Sequence, residues 1–148
     1  MDRNKLLNLC CGNTAAVNFI QRFWAFVETW DDLVDKDKDV PAADINAAML
    51  WALFGIQDDP FYRAFPVPMR VAMQHCIAAW QTANDFERSG DRALVEQAYF
   101  LRCAPYDVFA VAVLMAGGPG PHLEAVAYFR SLGAADSLEA YLKEHLGD

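Results

Sequence analysis

The chain has 148 residues, of which 55% are hydrophobic, and a formal net charge of −8 at pH 7. This length suits a single domain, residues 1–148, which can bury roughly two thirds of its unfolded surface without disulfides or metals. The acidic balance excludes nucleic acid as a direct ligand, since nonspecific affinity for phosphates needs clustered Lys and Arg.

The first predicted helix begins at Asn13 or Thr14, residues that favour the N-cap position, and runs to about Lys36. At 1.5 Å per residue it is roughly 34 Å long. Its apolar residues recur every three or four positions, which predicts one broad stripe that faces the core. The residues of this stripe are Ala16, Phe19, Ile20, Phe23, Phe26, Val27, Trp30, Leu33 and Val34.

Pro41 suits the first turn of a second helix, which we predict at residues 42–54. Gly55 is expected to end this helix. Asp59 and Pro60 then favour a short third helix, with Asp59 as its cap. The inward residues of the second helix are predicted to be Ile45, Ala48, Met49, Ala52 and Leu53.

A fourth helix is predicted to open at Pro68 and to stop at Gly90. Asp91 caps a fifth, which Pro105 is expected to kink. Beyond the kink this helix is apolar on nearly all sides, so it belongs in the middle of a bundle. Two shorter helices, at residues 122–132 and 137–146, close the chain.

The fold class is therefore predicted to be all-α, because the segments have helical periodicity and almost no strand-like alternation. Seven segments are recognisable, and they indicate an irregular bundle of six or seven helices. The chain contains no repeat, low-complexity tract or linker that would divide it.

Three aspartates follow the aromatic part of the first helix. Asp31 and Asp35 are four positions apart, so both can point into one groove beside Glu28, whereas Asp32 is expected to point more nearly to solvent. Mg²⁺ binds one or two such carboxylates, retains waters and takes its other ligands from phosphate oxygens. The alternative is the solvated end of an amphipathic helix, which is the usual meaning of a run of charges.

The stretch ETWDDLVDKD contains DDxxD as Asp31, Asp32 and Asp35. It resembles the first aspartate-rich motif of isoprenoid synthases, above all the squalene and phytoene synthase branch. The resemblance implies half of that all-α fold, with Asp31 and Asp35 holding Mg²⁺ against a prenyl diphosphate. A helical nucleotide pyrophosphohydrolase, with Glu28 as a further carboxylate, is a variant of this reading. Asn84 and Asp85 match a second acidic motif only in part, since Arg88 follows.

A second resemblance covers more of the chain. The succession of VETWDDLVDKDK, MLWAL, DDPFYRAF, FERSGD and AYFLRCAPYDVF is similar to small helical proteins carried by tailed phages and prophages. That group has no assigned activity. The resemblance implies a phage setting and a host cytoplasm, and it implies no particular chemistry.

Asp107 lies in the segment predicted to be buried, where a carboxylate must be paired or protonated. Arg102, Arg70 and His75 are its possible partners. One interpretation is a structural ion pair or a hydrogen bond to the backbone that the proline frees. In the other, Asp107 is a second carboxylate that faces Asp31 across the bundle, as in metal sites within helix bundles.

The four cysteines, Cys10, Cys11, Cys76 and Cys103, have neither metal-site nor disulfide-framework spacing. They indicate reduced thiols in a cytoplasm. The longest apolar run, at residues 108–116, is far shorter than the ~20 residues of a membrane span, so no membrane is expected. The sequence also contains no GxSxG or HExxH motif.

These observations favour a noncatalytic helical protein of phage or prophage type that acts through protein–protein contact in the cytoplasm. Its high apolar content predicts a homo-oligomer, or a complex with another protein, formed through helix surface. The alternative is a Mg²⁺-dependent enzyme or binder of a diphosphate that uses Asp31 and Asp35, with Asp32 beside them.

Overall fold

The computed structural model describes residues 1–36, 38–133 and 137–147. Within these ranges the chain is helical and has no strand, which confirms the predicted all-α class and its irregular bundle of helices. The chain divides into two compact units, residues 1–66 and 67–148. The single domain therefore stays a prediction.

The described part of the first unit consists of short and long α-helices, two of which are joined by a π-helical turn. They are α1 (Arg3–Leu9), α2 (Thr14–Asp35), α3 (Ala42–Leu50), the π-helical turn (Trp51–Gly55), α4 (Ile56–Asp58) and α5 (Pro60–Ala64). The sequence patterns did not predict α1, which buries Leu6 and Leu9 and is capped by the Asp2 side chain.

Helix α2 forms most of the core of the first unit. The Asn13 side chain accepts a hydrogen bond from the Ala16 amide at 3.0 Å, which confirms the predicted cap. The residues of the predicted stripe face the core as far as Val27, which is 6% exposed. Leu33 and Val34 were predicted to be inward but are 41% and 37% exposed. Periodicity identifies the apolar side of a helix, but it cannot say where the covering elements end.

The second predicted helix differs from expectation in two ways. Gly55 does not end it, since the backbone there is helical (φ −61°, ψ −34°) and the path continues to Asp58. Met49 and Leu53 were predicted to be inward, yet each is 53% exposed. No residue of α3 is fully buried, so this helix presents apolar side chains outward.

The cap of the short helix α5 is as predicted. Asp59 is 1% exposed, and its Oδ1 accepts hydrogen bonds from the amides of Phe61 at 2.9 Å and Tyr62 at 3.1 Å. These bonds satisfy two of the amides that a helix N-terminus leaves unpaired.

The second unit is built from longer helices. They are α6 (Pro66–Glu87), α7 (Arg92–Leu101), α8 (Ala104–Gly117), α9 (Pro119–Gly133) and α10 (Leu138–Leu146). The fifth predicted helix is thus two helices, because the chain turns at Arg102 and Cys103 and Pro105 lies in the first turn of α8. Proline suits that position, since the first turn needs no amide donor from it.

Helix α8 supplies much of the core of the second unit, as its composition predicted. Val108, Phe109 and Val113 are fully buried, and the Phe109 ring meets Phe129 of α9 with centroids 5.5 Å apart. Gly118 (φ +82°) makes the turn between α8 and α9 in a conformation that favours glycine.

One helical stretch in the described ranges, Arg92–Gly117, is long and apolar enough to cross a membrane by length and composition alone. Of its most apolar window, 44% is buried inside the protein, as in a core helix. It also contains the turn between α7 and α8. The expectation that no membrane is involved stays a prediction.

Candidate functional site

The π-helical turn positions Trp51 over α2. Its ring centroid lies 6.3 Å from Phe19, 6.3 Å from Phe23 and 5.6 Å from Phe26. Gly55 leaves room for the Trp51 ring, since a Cβ at Gly55 would lie 3.0 Å from Trp51 Cδ1. Short π-helical turns inside α-helices occur frequently at functional sites.

An open cleft of about 620 Å³ lies between α2, residues 38–41 and the helix that begins with α3. We call it the α2–α3 cleft. Its volume falls within the range of small-molecule sites, roughly 300–1,000 Å³. It is lined by Arg22, Ala25, Phe26, Glu28, Thr29, Asp32, Lys38, Asp39, Val40, Pro41, Asp44, Ala47, Ala48 and Trp51.

The charges that line the α2–α3 cleft are unequal. Among the described residues, the lining contains four carboxylates and two cations, Arg22 and Lys38. Lys38 Nζ lies 2.8 Å from Asp32 Oδ1, and Arg22 Nη1 lies 3.6 Å from Oδ2 of Asp59, which is outside the lining. The remaining lining carboxylates, Glu28, Asp39 and Asp44, leave the cleft with a net negative charge.

One polar atom at the cleft is unsatisfied. The indole nitrogen of Trp51 is buried and has no hydrogen-bond partner among the described residues. A buried donor without a partner costs about 1–3 kcal/mol, so native structures rarely contain one without a reason.

The structure places the three predicted aspartates differently from expectation. Asp32, which was expected to point toward solvent, lines the cleft with Glu28, one turn before it on α2. Asp31 and Asp35 do not line it, although each has an interaction of its own. The side of α2 that borders the cleft carries residues 22, 25, 29 and 32. Which side of α2 borders the cleft depends on where α3 packs against it.

In residues 1–36, 38–133 and 137–147, no group of three or more His, Cys, Asp or Glu side chains is arranged to hold a metal ion. The proposed Mg²⁺ ligands Asp31, Asp32 and Asp35 gain no support from the geometry. Magnesium binding there stays a prediction.

The second unit contains a buried polar cluster centred on Glu87 of α6, which we call the Glu87 cluster. Arg102 donates from Nε to Glu87 Oε1 at 2.8 Å and from Nη2 to Oε2 at 2.6 Å. Its Nη2 also donates to Asn84 Oδ1 at 2.6 Å, and its guanidinium lies 5.1 Å from the Trp80 ring centroid. The Tyr141 hydroxyl donates to Glu87 Oε1, so the cluster joins α10 to α6.

The electrostatics of the Glu87 cluster fix its protonation state. Burial pushes the pKa of Glu87 up, but hydrogen bonds from Arg102 and Tyr141, with the charges of Arg102 and His145, lower it below 4.5. Burial, then the hydrogen bond to Glu87, raises the pKa of Tyr141 above 10. At neutral pH the carboxylate is therefore ionised and the phenol protonated. This arrangement suits a structural role better than proton transfer.

Asp107 is paired, but with a residue that the sequence did not suggest. Its two carboxylate oxygens accept hydrogen bonds from Arg130 Nη2 at 2.8 and 2.9 Å, and both side chains are 44% exposed. The predicted partner Arg102 instead binds Glu87 and Asn84, and His75 is exposed. The segment around Asp107 is buried as predicted, but the Asp107 side chain itself is partly exposed.

Sequence reasoning missed Trp51, Glu87 and Tyr141 as site residues. Glu87 and Tyr141 are 54 positions apart, so no local spacing relates them. Trp51 had one weak signal, since a glycine inside a helical pattern, here Gly55, lowers helix stability and therefore points to a packing reason nearby.

The chain was compared with protein-family models, curated proteins and solved structures, and none of them matches it.

Proposed function

We propose that the protein is a noncatalytic helical protein that acts through protein–protein contact, and that its partner is a second copy of this chain. The contact surface is the exposed side of the helix that contains the π-helical turn. We call it the apolar helix face. It consists of Met49, Leu50, Leu53 and Phe54, which are 53%, 61%, 53% and 64% exposed.

The arrangement of these side chains carries the proposal. Met49 and Leu53 are four positions apart, as are Leu50 and Phe54, so the four form two adjacent rows on one side of the helix. Covering the exposed part of each side chain would stabilise a complex by about 1 kcal/mol, before the cost of association. Scattered apolar residues are normal on protein surfaces, whereas a continuous group marks an interaction site.

Charge favours a second copy as the partner. The chain carries a net charge of −8, which opposes association between copies. Between Asp44 and Asp58, however, no residue is charged. Two copies of the apolar helix face can therefore meet without opposing like charges, and a twofold axis would bury the same patch on both.

The proposal includes a phage or prophage source for the protein. It rests on the resemblance of five sequence segments, from VETWDDLVDKDK to AYFLRCAPYDVF, to small helical proteins of tailed phages and prophages. The four cysteines are free, which fits a reducing host cytoplasm. The genes next to this one test the source directly, and a run of structural or replication genes of a phage is the expected result.

Light scattering on a size-exclusion column tests self-association. We expect the protein to elute as a dimer, and Leu50→Glu to convert it to a monomer, since each copy would bring a charge into the contact. Leu123→Glu is the matched control, because Leu123 is 78% exposed but lies on α9. A monomeric parent protein, or a dimer that Leu50→Glu leaves intact, would refute the proposal.

A further inference from the structure

We propose that the α2–α3 cleft binds an organic cation with an apolar body, such as a small aromatic amine. This ligand site is separate from the apolar helix face, whose four residues do not line the cleft. Two observations support the inference: the aromatic and aliphatic lining, and the charge of the lining.

The apolar part of the lining is held in place by the core. Phe26 and Trp51 are in ring contact, and Trp51 also rests on Phe19 and Phe23, which are 0% and 1% exposed. A ligand would meet this aromatic pair together with Ala25, Ala47 and Ala48. Aromatic faces attract cations as well as apolar groups, and Trp does so most strongly.

The charged part of the lining comes from three separate segments. Glu28 and Asp32 lie on α2, Asp39 lies in the connection to α3, and Asp44 lies in the first turn of α3. Both lining cations already face a carboxylate, Lys38 with Asp32 and Arg22 with Asp59. Carboxylates that line one cleft focus a negative potential there, which attracts a cation and repels phosphates or other anions.

The choice of an organic cation over a metal ion follows from the apolar part of the lining, since hard metal ions bind oxygen ligands and water and gain nothing from aromatic and aliphatic side chains. In the described part of the chain no group of three Asp, Glu, His or Cys side chains is arranged to hold a metal ion. A larger cation does not need three ligands at one point, since an ammonium group can interact with separate carboxylates through separate donors.

The test is a titration with three molecules of one shape and different charge: 2-phenylethylamine, 2-phenylethanol and phenylacetate. Ligand-observed NMR or calorimetry on the full chain measures binding. We expect the amine to bind at millimolar concentration or below, the alcohol to bind several-fold more weakly, and the acid not to bind. A cleft that prefers the alcohol, or binds the acid, or binds none of the three, would overturn the proposal.

Variants locate the site. Glu28→Gln with Asp44→Asn should weaken binding of the amine by about fivefold, the effect of two partly screened charges. Asp58→Asn with Asp85→Asn changes the net charge equally at exposed positions outside the lining, so it should leave binding unchanged. Equal weakening by both pairs would mean nonspecific attraction and would refute the site.

A steric variant separates the cleft from its charge. Ala47 is exposed and lines the cleft, so Ala47→Leu fills part of the volume while it keeps every carboxylate and places another good helix former in α3. Binding of the amine should be lost or weakened severalfold, and circular dichroism should be unchanged. Unchanged binding by a folded Ala47→Leu protein would contradict the proposal.

Discussion

The α2–α3 cleft and the Glu87 cluster both contain carboxylates, cations and aromatic rings, yet they differ in how completely the polar groups are satisfied. In the cluster, Glu87 accepts three hydrogen bonds from Arg102 and Tyr141. In the cleft, carboxylates outnumber cations and the Trp51 indole has no partner among the described residues. A closed polar network holds helices together, whereas an incomplete one beside an open volume leaves groups for a ligand.

The largest expected difference in stability is between two variants, each of which breaks one ion pair, in the Glu87 cluster or in the α2–α3 cleft. Arg102→Met leaves the carboxylate of Glu87, whose side chain is 8% exposed, buried without its partner. We expect a loss of about 3 kcal/mol in the free energy of unfolding. Lys38→Met removes the partner of Asp32 from a pair whose Lys is 63% exposed, and should cost less than about 1 kcal/mol. Urea denaturation of both variants measures the difference, and equal losses would contradict the comparison.

A methyl group added to one glycine in each unit tests how closely the two regions are packed. A Cβ on Gly133 would lie 2.7 Å from Cys103 Sγ and 3.1 Å from Tyr106 Cε2. Gly133→Ala should therefore destabilise the protein by about 2 kcal/mol. At Gly55 the nearest atom, Trp51 Cδ1, is 3.0 Å away, so the overlap of the added Cβ is smaller than at Gly133. Alanine also favours a helix by about 1 kcal/mol, so Gly55→Ala should be nearly neutral.

Thermal melting measures both glycine variants. Gly120→Ala is the control, because nothing lies within 4 Å of the added Cβ, and it should be neutral or stabilising. If Gly55→Ala proved as damaging as Gly133→Ala, the cleft would be as rigid as the core of the second unit.

The smallest expected effect is the acid dependence of the Glu87 cluster. The pKa of Glu87 is lower in the folded protein than its usual value of 4.5. The ionised Glu87 therefore contributes its full amount to the free energy of unfolding at pH values above 4.5. The contribution is lost as the pH falls through the folded pKa, since the unfolded chain takes up the proton first. Urea unfolding at a series of acidic pH values should therefore show the advantage of the parent protein over Glu87→Gln shrinking below pH 4.5. A constant difference would mean that Glu87 is not held in the ionised form.

Much of the fold could be predicted from local patterns. Helical periodicity and the caps at Asn13, Asp59 and Asp91 identified most helices, and the structure confirms these three caps. The outward position of Met49 and Leu53 could not be predicted, because an apolar residue has the same pattern whether this chain or a partner covers it. The short helix α1 contains fewer than two full repeats, too few to show a period.

The candidate site was less predictable than the fold. The acidic character of residues 28–44 was visible, but which aspartate enters the cleft depends on the side of α2 that α3 covers. Asp32 rather than Asp31 or Asp35 lines the cleft for that reason. The partners of Arg102 lie 15 and 18 positions away on α6, and sequence spacing beyond one helix gives no such pairing.

The π-helical turn at Trp51–Gly55 has one further consequence. A turn that closes over five residues instead of four accommodates one extra residue while the helix after it keeps roughly its direction, since four residues of an α-helix also complete about one turn. Ile56, directly after the turn, is 9% exposed, whereas Trp51 at its start lines the cleft and Leu53 and Phe54 within it face outward. Deleting one residue there, Ala52 for example, would leave Gly55 three positions after Trp51 instead of four, so it would disturb the support of the Trp51 ring and leave the helix that follows in place. The extra residue adjusts the side chains of a short stretch that borders a core, a cleft and an outer surface.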